Sequence, residues 1–220
     1  MDWANWHERY EISLPLRERL NAVRTQIILA LSKVAAEPVQ VISICAGDGR
    51  DLIGSLVAFD QRKTVRASLI EINAELVAKG QSAINHFCLS DRVTFRCGDA
   101  TQSGTYVGIS PAHVVILSGV FGNLKENDVR RLIVSLQSLC HRGASVIWTR
   151  NLIEFDDGEK ATQMIRKCFL AADFREEVLA RTPQGVFAVG THTFQGEPRP
   201  LPDDGTLFEF TGFWGISDAV

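Results

Sequence analysis

The 220-residue sequence has no long apolar run, no cluster of positive charge and no paired cysteines, and each absence removes a class of function. A membrane-spanning helix needs roughly 18 to 20 apolar residues in succession. The most apolar windows, 39–45 and 114–117, fall far short, so no membrane segment is expected. Lys and Arg number 23 against 26 Asp and Glu, a net charge of -3, and the basic residues come as pairs such as Arg62-Lys63 and Arg130-Arg131. Duplex DNA, whose phosphates call for clustered cations, is therefore not an expected partner. The cysteines at 45, 88, 97, 140 and 168 form no C-x-x-C pair and have no neighbouring His at ligand spacing. Neither a disulfide framework nor a metal site is expected, and reduced thiols point to a cytoplasmic protein. Cys45 is either a reactive thiol or, the commoner outcome, a buried small hydrophobe. Asp2, His7, Glu8 and Arg9 occupy the place where a secretory leader would be apolar.

What the sequence does contain, from residue 39 onward, is an alternation of short β-branched runs with longer segments of helical period. Runs at 39–45, 65–70, 93–96, 113–117 and 144–148 read as strands covered on both faces, because they are nearly continuous in apolar residues. Segments 50–59, 73–87, 126–139 and 159–172 carry apolar residues at three- and four-residue spacing and read as helices, with Asn73 as an N-cap. This order predicts parallel strands joined by crossover helices. Residues 174–181 and 186–194 are strand-like with only Thr182-Pro183-Gln184-Gly185 between them, too short for a helix. A hairpin follows, and the seventh strand runs antiparallel to the sixth. Ahead of the sheet Ser13 can cap a helix from Leu14 to about Ala36. The expected layout is one structural domain: a helical extension over 1–36, a core over 37–194 and a tail over 195–220 that crosses back along the surface.

The chemistry-bearing residues gather at the strand ends. The first strand runs into Cys45-Ala46-Gly47-Asp48-Gly49-Arg50-Asp51, a small-residue turn that lets a ligand lie on the backbone beside the amides opening a helix. The second strand ends in Glu71, 22 positions beyond Gly49. This is about the spacing at which a strand-tip acid can accept both hydroxyls of a ribose. The third ends Cys97-Gly98-Asp99-Ala100, so three adjacent tips converge on one nucleoside-sized crevice.

With this loop, these two acids and the terminal hairpin in this order, residues 39–194 resemble the class I S-adenosylmethionine-dependent methyltransferases. The nearest likeness is to compact bacterial small-molecule enzymes with an aromatic N-terminus and a C-A-G-x-G-R-D loop. The resemblance implies a three-layer α/β sandwich with a seven-stranded, mostly parallel, Rossmann-like sheet whose last strand is antiparallel. It implies S-adenosylmethionine as cofactor, S-adenosylhomocysteine as product, and methyl transfer to an O, N or C nucleophile of a small molecule. Residue by residue it puts Ala46, Gly47, Asp48 and Gly49 on the methionine part of the cofactor, Glu71 on the ribose, and Asp99, preceded by Gly98, on the adenine amino group. Ile72 and Ala100 would flank the adenine. The family's loop usually carries an acid where Ser43 stands and a glycine where Cys45 stands. The cofactor's ammonium therefore needs another partner, either Asp51 or the carbonyl of Ser118; Asp51 could equally be an acid set against a helix dipole.

Other residues facing the crevice keep two readings. Ser118 and Gly119, with Gly122 and Asn123, follow the fourth strand and permit close backbone approach, as a plain turn also would. Arg150 could fork onto a substrate carboxylate or phosphate or make a surface ion pair. His192 reads as packed or exposed rather than catalytic. If the nucleophile needs a base, His7 and Tyr10 are candidates, with Asn123 able only to orient. Trp3, Trp6 and Tyr10 share one helical face, which would form a lid with Tyr10 near the cofactor or pack on the outside of the sheet. A nicotinamide-dependent Rossmann oxidoreductase shares the turn and the acid, but the loop has Leu52 where the last glycine of G-x-G-x-x-G belongs. A non-catalytic methyltransferase-like binding or assembly protein is the remaining alternative.

Overall fold

The computed structural model describes residues 10, 12–59, 64–153 and 157–211. Seven strands, β1 (Val39–Ile44), β2 (Val65–Glu71), β3 (Val93–Cys97), β4 (Ala112–Leu117), β5 (Cys140–Asn151), β6 (Phe174–Arg181) and β7 (Phe187–Phe194), form one sheet. Their order is β3-β2-β1-β4-β5-β7-β6. Pairings from β3 through β5 are parallel, whereas β7 is antiparallel to both β5 and β6. The expected fold class is the one observed. Gly185, at φ 72, closes the predicted hairpin, its amide donating to the Thr182 carbonyl at 2.7 Å.

Alternation along the strands feeds two cores. Val41, Val114 and Ile116 pack under α1 (Leu14–Lys33), α2 (Arg50–Ala58) and α3 (Ala74–His86). Ile42, Ile44, Val115 and Leu117 face the other way, beneath α4 (Glu126–Leu139) and α5 (Gly158–Ala171). Both faces are dry, which is why the central strands lack the polar alternation of a half-exposed sheet. Leu207 and Phe208 belong to the second core. The segment expected as a surface tail thus anchors itself, with the Leu207 amide donating to the Thr101 carbonyl at 2.7 Å and Thr211 to Asn123 at 3.0 Å.

Three local expectations need correction. The first helix stops at Lys33, short of Ala36, where Val34 turns to an extended backbone (φ -73, ψ 124). Ser13 precedes that helix but makes no side-chain cap; its carbonyl accepts from Arg17 at 3.1 Å. β5 extends well beyond 144–148, since Thr149, Arg150 and Asn151 pair with Val189, Ala188 and Phe187 of β7. Asn73 caps α3 as expected, accepting from the amides of Glu75 and Leu76. Among the described residues no helix is long and apolar enough to cross a membrane, and no group of three or more His, Cys, Asp or Glu could hold a metal.

Candidate active site

The crevice begins where β1 ends. In residues 45–49 the chain takes left-handed backbone conformations at Cys45 (φ 53), Gly47 (φ 59) and Gly49 (φ 70). Glycine adopts these freely, while a residue with a Cβ pays roughly 1 kcal/mol or more, so Cys45 stands in a position that suits glycine. Burial, together with the charges of Glu71 and Asp99, pushes its thiol well above the ordinary cysteine value. It stays protonated, which leaves no basis for a reactive thiol. Gly49 answers to packing as well as conformation, because a Cβ there would fall 2.4 Å from Leu69 Cδ2. Gly80 of α3 has the same function, since its Cβ would lie 2.7 Å from the Asp48 carbonyl and 2.4 Å from the Phe95 ring.

The tip of β2 carries the most ordered acid. The Gly47 amide donates to Glu71 Oε2 at 2.8 Å and the Asn73 amide to Glu71 Oε1 at 2.9 Å. Each oxygen thus receives one backbone donor and retains acceptor capacity for a second, a carboxylate held rigid. On the adjoining β3 tip Asp99 Oδ1 accepts from the Thr101 amide at 2.8 Å. Its backbone carbonyl accepts from the Thr105 hydroxyl at 2.7 Å, and that of Ala100 accepts from Tyr106 Oη at 2.6 Å. Between the two acids in sequence, Ile72 is 60% exposed, an apolar side chain beside a polar tip. Gly98 ties the tips together by donating to the Glu71 carbonyl at 3.0 Å. Rigid carboxylates flanked by exposed apolar surface fit an adenosine moiety.

The β4 side is built differently. Gly119, at φ 81, donates to Thr149 Oγ1 at 2.8 Å and accepts from Asn123 Nδ2 at 2.9 Å. Asn123 is thereby committed to holding its own loop. Arg150 lies against the same loop, its Nη1 3.1 Å from where a Cβ on Gly122 would be. Asp51 is buried in the first turn of α2, with Oδ1 accepting from the Leu52 amide at 2.7 Å. Burial raises its carboxyl above the usual range, with Arg19 and Arg24 pulling the other way. Asp48 turns both oxygens to the Arg50 side chain, at 2.5 to 2.9 Å.

Sequence reasoning missed the buried cation of this region. Arg19, 6% exposed, sits on the inward face of α1 with Leu16, Val23 and Ile27. Its guanidinium donates to the Tyr10 hydroxyl and lies 5.4 Å from the Tyr10 ring centroid and 5.2 Å from that of Phe187. Tyr10 in turn carries Arg50 over its ring at 4.6 Å. The available signal was an arginine interrupting an apolar stripe. Of the aromatic N-terminal face only Tyr10 can be placed; Trp3, Trp6 and His7 lie outside the described residues. His192 is 1% exposed, stacked 4.3 Å from Phe169 and accepting on Nδ1 from Trp148 Nε1 at 3.1 Å. It is a packed histidine, remote from this chemistry.

A cleft of about 340 Å³ between α2 and α3, lined by Arg24, Arg50, Lys79 and Phe87, backs onto the glycine loop rather than the strand tips.

Comparison with known proteins agrees with the geometry. A family model described as "Putative methyltransferase" matches residues 15–152. No curated protein sequence matches the chain. Among solved structures, magnesium protoporphyrin IX methyltransferase from Synechocystis PCC 6803 with bound S-adenosylmethionine is similar at 15% identity and a TM-score of 0.68, over 88% of this chain and 91% of that one. An O-methyltransferase family protein from Burkholderia thailandensis is similar at 14% identity and a TM-score of 0.60, over 86% of this chain and 63% of the other. The [4+2]-cyclase SpnF shares the fold too, at 12% identity and a TM-score of 0.59, over 80% of this chain and 82% of that one. At such identities the likeness is one of fold, and fold alone does not settle the reaction.

Proposed function

The chain belongs to the methyltransferase family whose model spans residues 15–152, and we propose that it transfers a methyl group from S-adenosylmethionine to an O, N or C nucleophile of a small molecule. The observation that carries this reading is the pair of strand-tip acids, above all Glu71 with one backbone amide on each oxygen and acceptor capacity left over. In this reading Glu71 accepts the ribose hydroxyls and Asp99 the adenine amino group through its second oxygen. Ile72 covers the base, while the side chain of Ala100 is buried in the core. Ala46, Gly47, Asp48 and Gly49 lend backbone surface to the methionine part, with Asp51, Ser118 and Gly119 at its far end.

The cofactor supplies a methyl already activated on a sulfonium, so the protein's work is to position a nucleophile and exclude water. The loop after β4, held by Thr149 and Asn123, forms the wall on that side. Phe121 and Trp148, buried and edge-to-face at 5.8 Å, keep the ground beneath it dry. Arg150 is the side chain we assign to acceptor contact, Tyr10 borders the cofactor, and Asn123 orients the loop.

A small acceptor agrees with the charge of -3 and with basic residues that come at most as pairs along the sequence. The names of the structural relatives specify magnesium protoporphyrin IX for one, a complex with apigenin for another and rRNA for a third, so the small acceptor rests on this chain's own sequence. All five cysteines are free thiols, which supports a reducing, cytoplasmic setting. The nicotinamide alternative has no support in the family match, and the antiparallel β7 is foreign to it.

Calorimetry with S-adenosylhomocysteine and with NAD tests the proposal. Binding of the first and not the second is expected, and a folded chain that binds only NAD, or neither, overturns it.

A further inference from the structure

The geometry points to Arg19 as the residue that holds the carboxylate of the cofactor's methionine moiety, opposite Asp51 on its ammonium. This rests on the cofactor reading above and deepens it. The strand order β3-β2-β1-β4 sets the direction. Asp99 and Glu71 mark the adenosine end over β3 and β2, so the amino-acid end lies over β1 and β4, two strand spacings or about 10 Å beyond Glu71. Two buried groups of opposite charge meet there: Asp51 at 8% exposure, in the first turn of α2, and Arg19 at 6%, on the inward face of α1. Asp51 is the foremost charge acting on Arg19, and Arg19 acts on Asp51 in turn, after Asp48.

The Arg19 fork is aimed. One terminal nitrogen donates to Tyr10, and the other, Nη1, lies 3.6 Å from where a Cβ on Gly119 would sit, at the β4 tip. A side chain at 119 would start in van der Waals contact with that nitrogen. The faces of the Tyr10 and Phe187 rings fix the plane of the fork, which limits the entropy lost when it binds a planar carboxylate. A guanidinium is costly to bury. Desolvation lowers its pKa to about 10, which still leaves it charged at neutral pH. A zwitterion presents the two charges, in one small group, that this pair complements. Because Ser43 stands where the family usually has an acid, the chain needs such a pair elsewhere. Tyr10 is then a positioning residue, acting through Arg19.

Titration of wild type and Arg19→Gln with S-adenosylhomocysteine and with 5′-methylthioadenosine separates the readings, since the second ligand keeps the adenosine and sulfur but lacks the amino-acid portion. Arg19→Gln should lose tenfold or more in affinity for S-adenosylhomocysteine and stay within about twofold for methylthioadenosine, as a lost charge-assisted hydrogen bond predicts. Equal losses for both ligands make Arg19 a structural strut, and no loss for either removes it from the site; both outcomes overturn the inference. Should the variant not fold, wild type with decarboxylated S-adenosylmethionine in place of S-adenosylmethionine tests the carboxylate contact itself, a tenfold or greater loss being expected and equal affinity overturning the inference. Wild type that binds none of these ligands refutes the cofactor reading itself.

Discussion

The two halves of the sheet solve opposite problems. At the tips of β2 and β3 carboxylates are held by backbone amides alone: Gly47 and Asn73 on Glu71, Thr101 on Asp99. In the half formed by β5, β7 and β6 polar groups are sealed in. His192 and Trp148 satisfy each other inside a stack with Phe169, and Phe174 meets Phe169 edge-on at 5.3 Å. One half is therefore specified by a few atoms at chain turns, the other by the filling of volume. Mutations should reveal this as a split between binding and stability.

The sharpest way to break that comparison is Phe169→Ala. The ring is fully buried and touches Phe121, Trp148, Phe174 and His192. Its removal should cost about 3–5 kcal/mol in denaturant unfolding, with the folded fraction binding S-adenosylhomocysteine as before. A stable variant that binds poorly would reverse the assignment of the halves.

Acid should attack the same half first. Burial lowers the His192 imidazole from 6.5 to about 4, opposed by Glu176 and reinforced by Arg166. The unfolded chain takes up this proton near pH 6.5 and the folded one only near 4, so folding is penalised as the pH falls between them. Stability is full above pH 6.5 and drops by about 3 kcal/mol on reaching pH 4. Comparing wild type with His192→Gln at pH 7 and pH 4.5 isolates this part; identical pH dependence would contradict it.

Glu71→Ala should lose some stability through the Gly47 and Asn73 amides left unpaired, but its mark is in binding: S-adenosylmethionine affinity should weaken by about 2 kcal/mol or more, from charge-assisted hydrogen bonds lost and partly replaced by water. An unchanged dissociation constant in the folded variant removes Glu71 from the ribose. The smallest effect sharpens the picture further. Asn73→Ala deletes the side-chain cap of α3 and should cost about 1 kcal/mol of stability. Since Glu71 is held by the backbone amide of Asn73 and not by its side chain, cofactor affinity should barely move.

Much of the polar half was legible before the structure. Glu71 and Asp99 close strands whose apolar runs are bounded by turn residues, so their place at one edge follows from local pattern. The hairpin followed from a gap too short for a helix. The sealed half was less readable. β5 was expected to stop at Trp148 because Thr149-Arg150-Asn151 is polar, yet pairing with β7 carries the strand through all three. A polar residue can extend a strand whenever a neighbour satisfies its backbone, and that neighbour lies some forty residues away. Gly49 was read as room for a ligand, while the structure fills the space beside it with Leu69, Ile53 and Phe95. Arg19 went unread because its partners, Tyr10, Phe187 and Asp51, are separated along the chain.

The sequence by itself determined the order of strands and helices, the hairpin and the edge of the sheet that bears the acids, because hydrophobic period, turn chemistry and capping act over a few residues. Only the tertiary structure decided which glycines answer to packing, that the C-terminal residues Leu207 and Phe208 complete a core, and that an arginine of the first helix ends beside the fourth strand's tip. Those outcomes depend on shape and charge meeting across the fold, where spacing along the chain carries no information about distance.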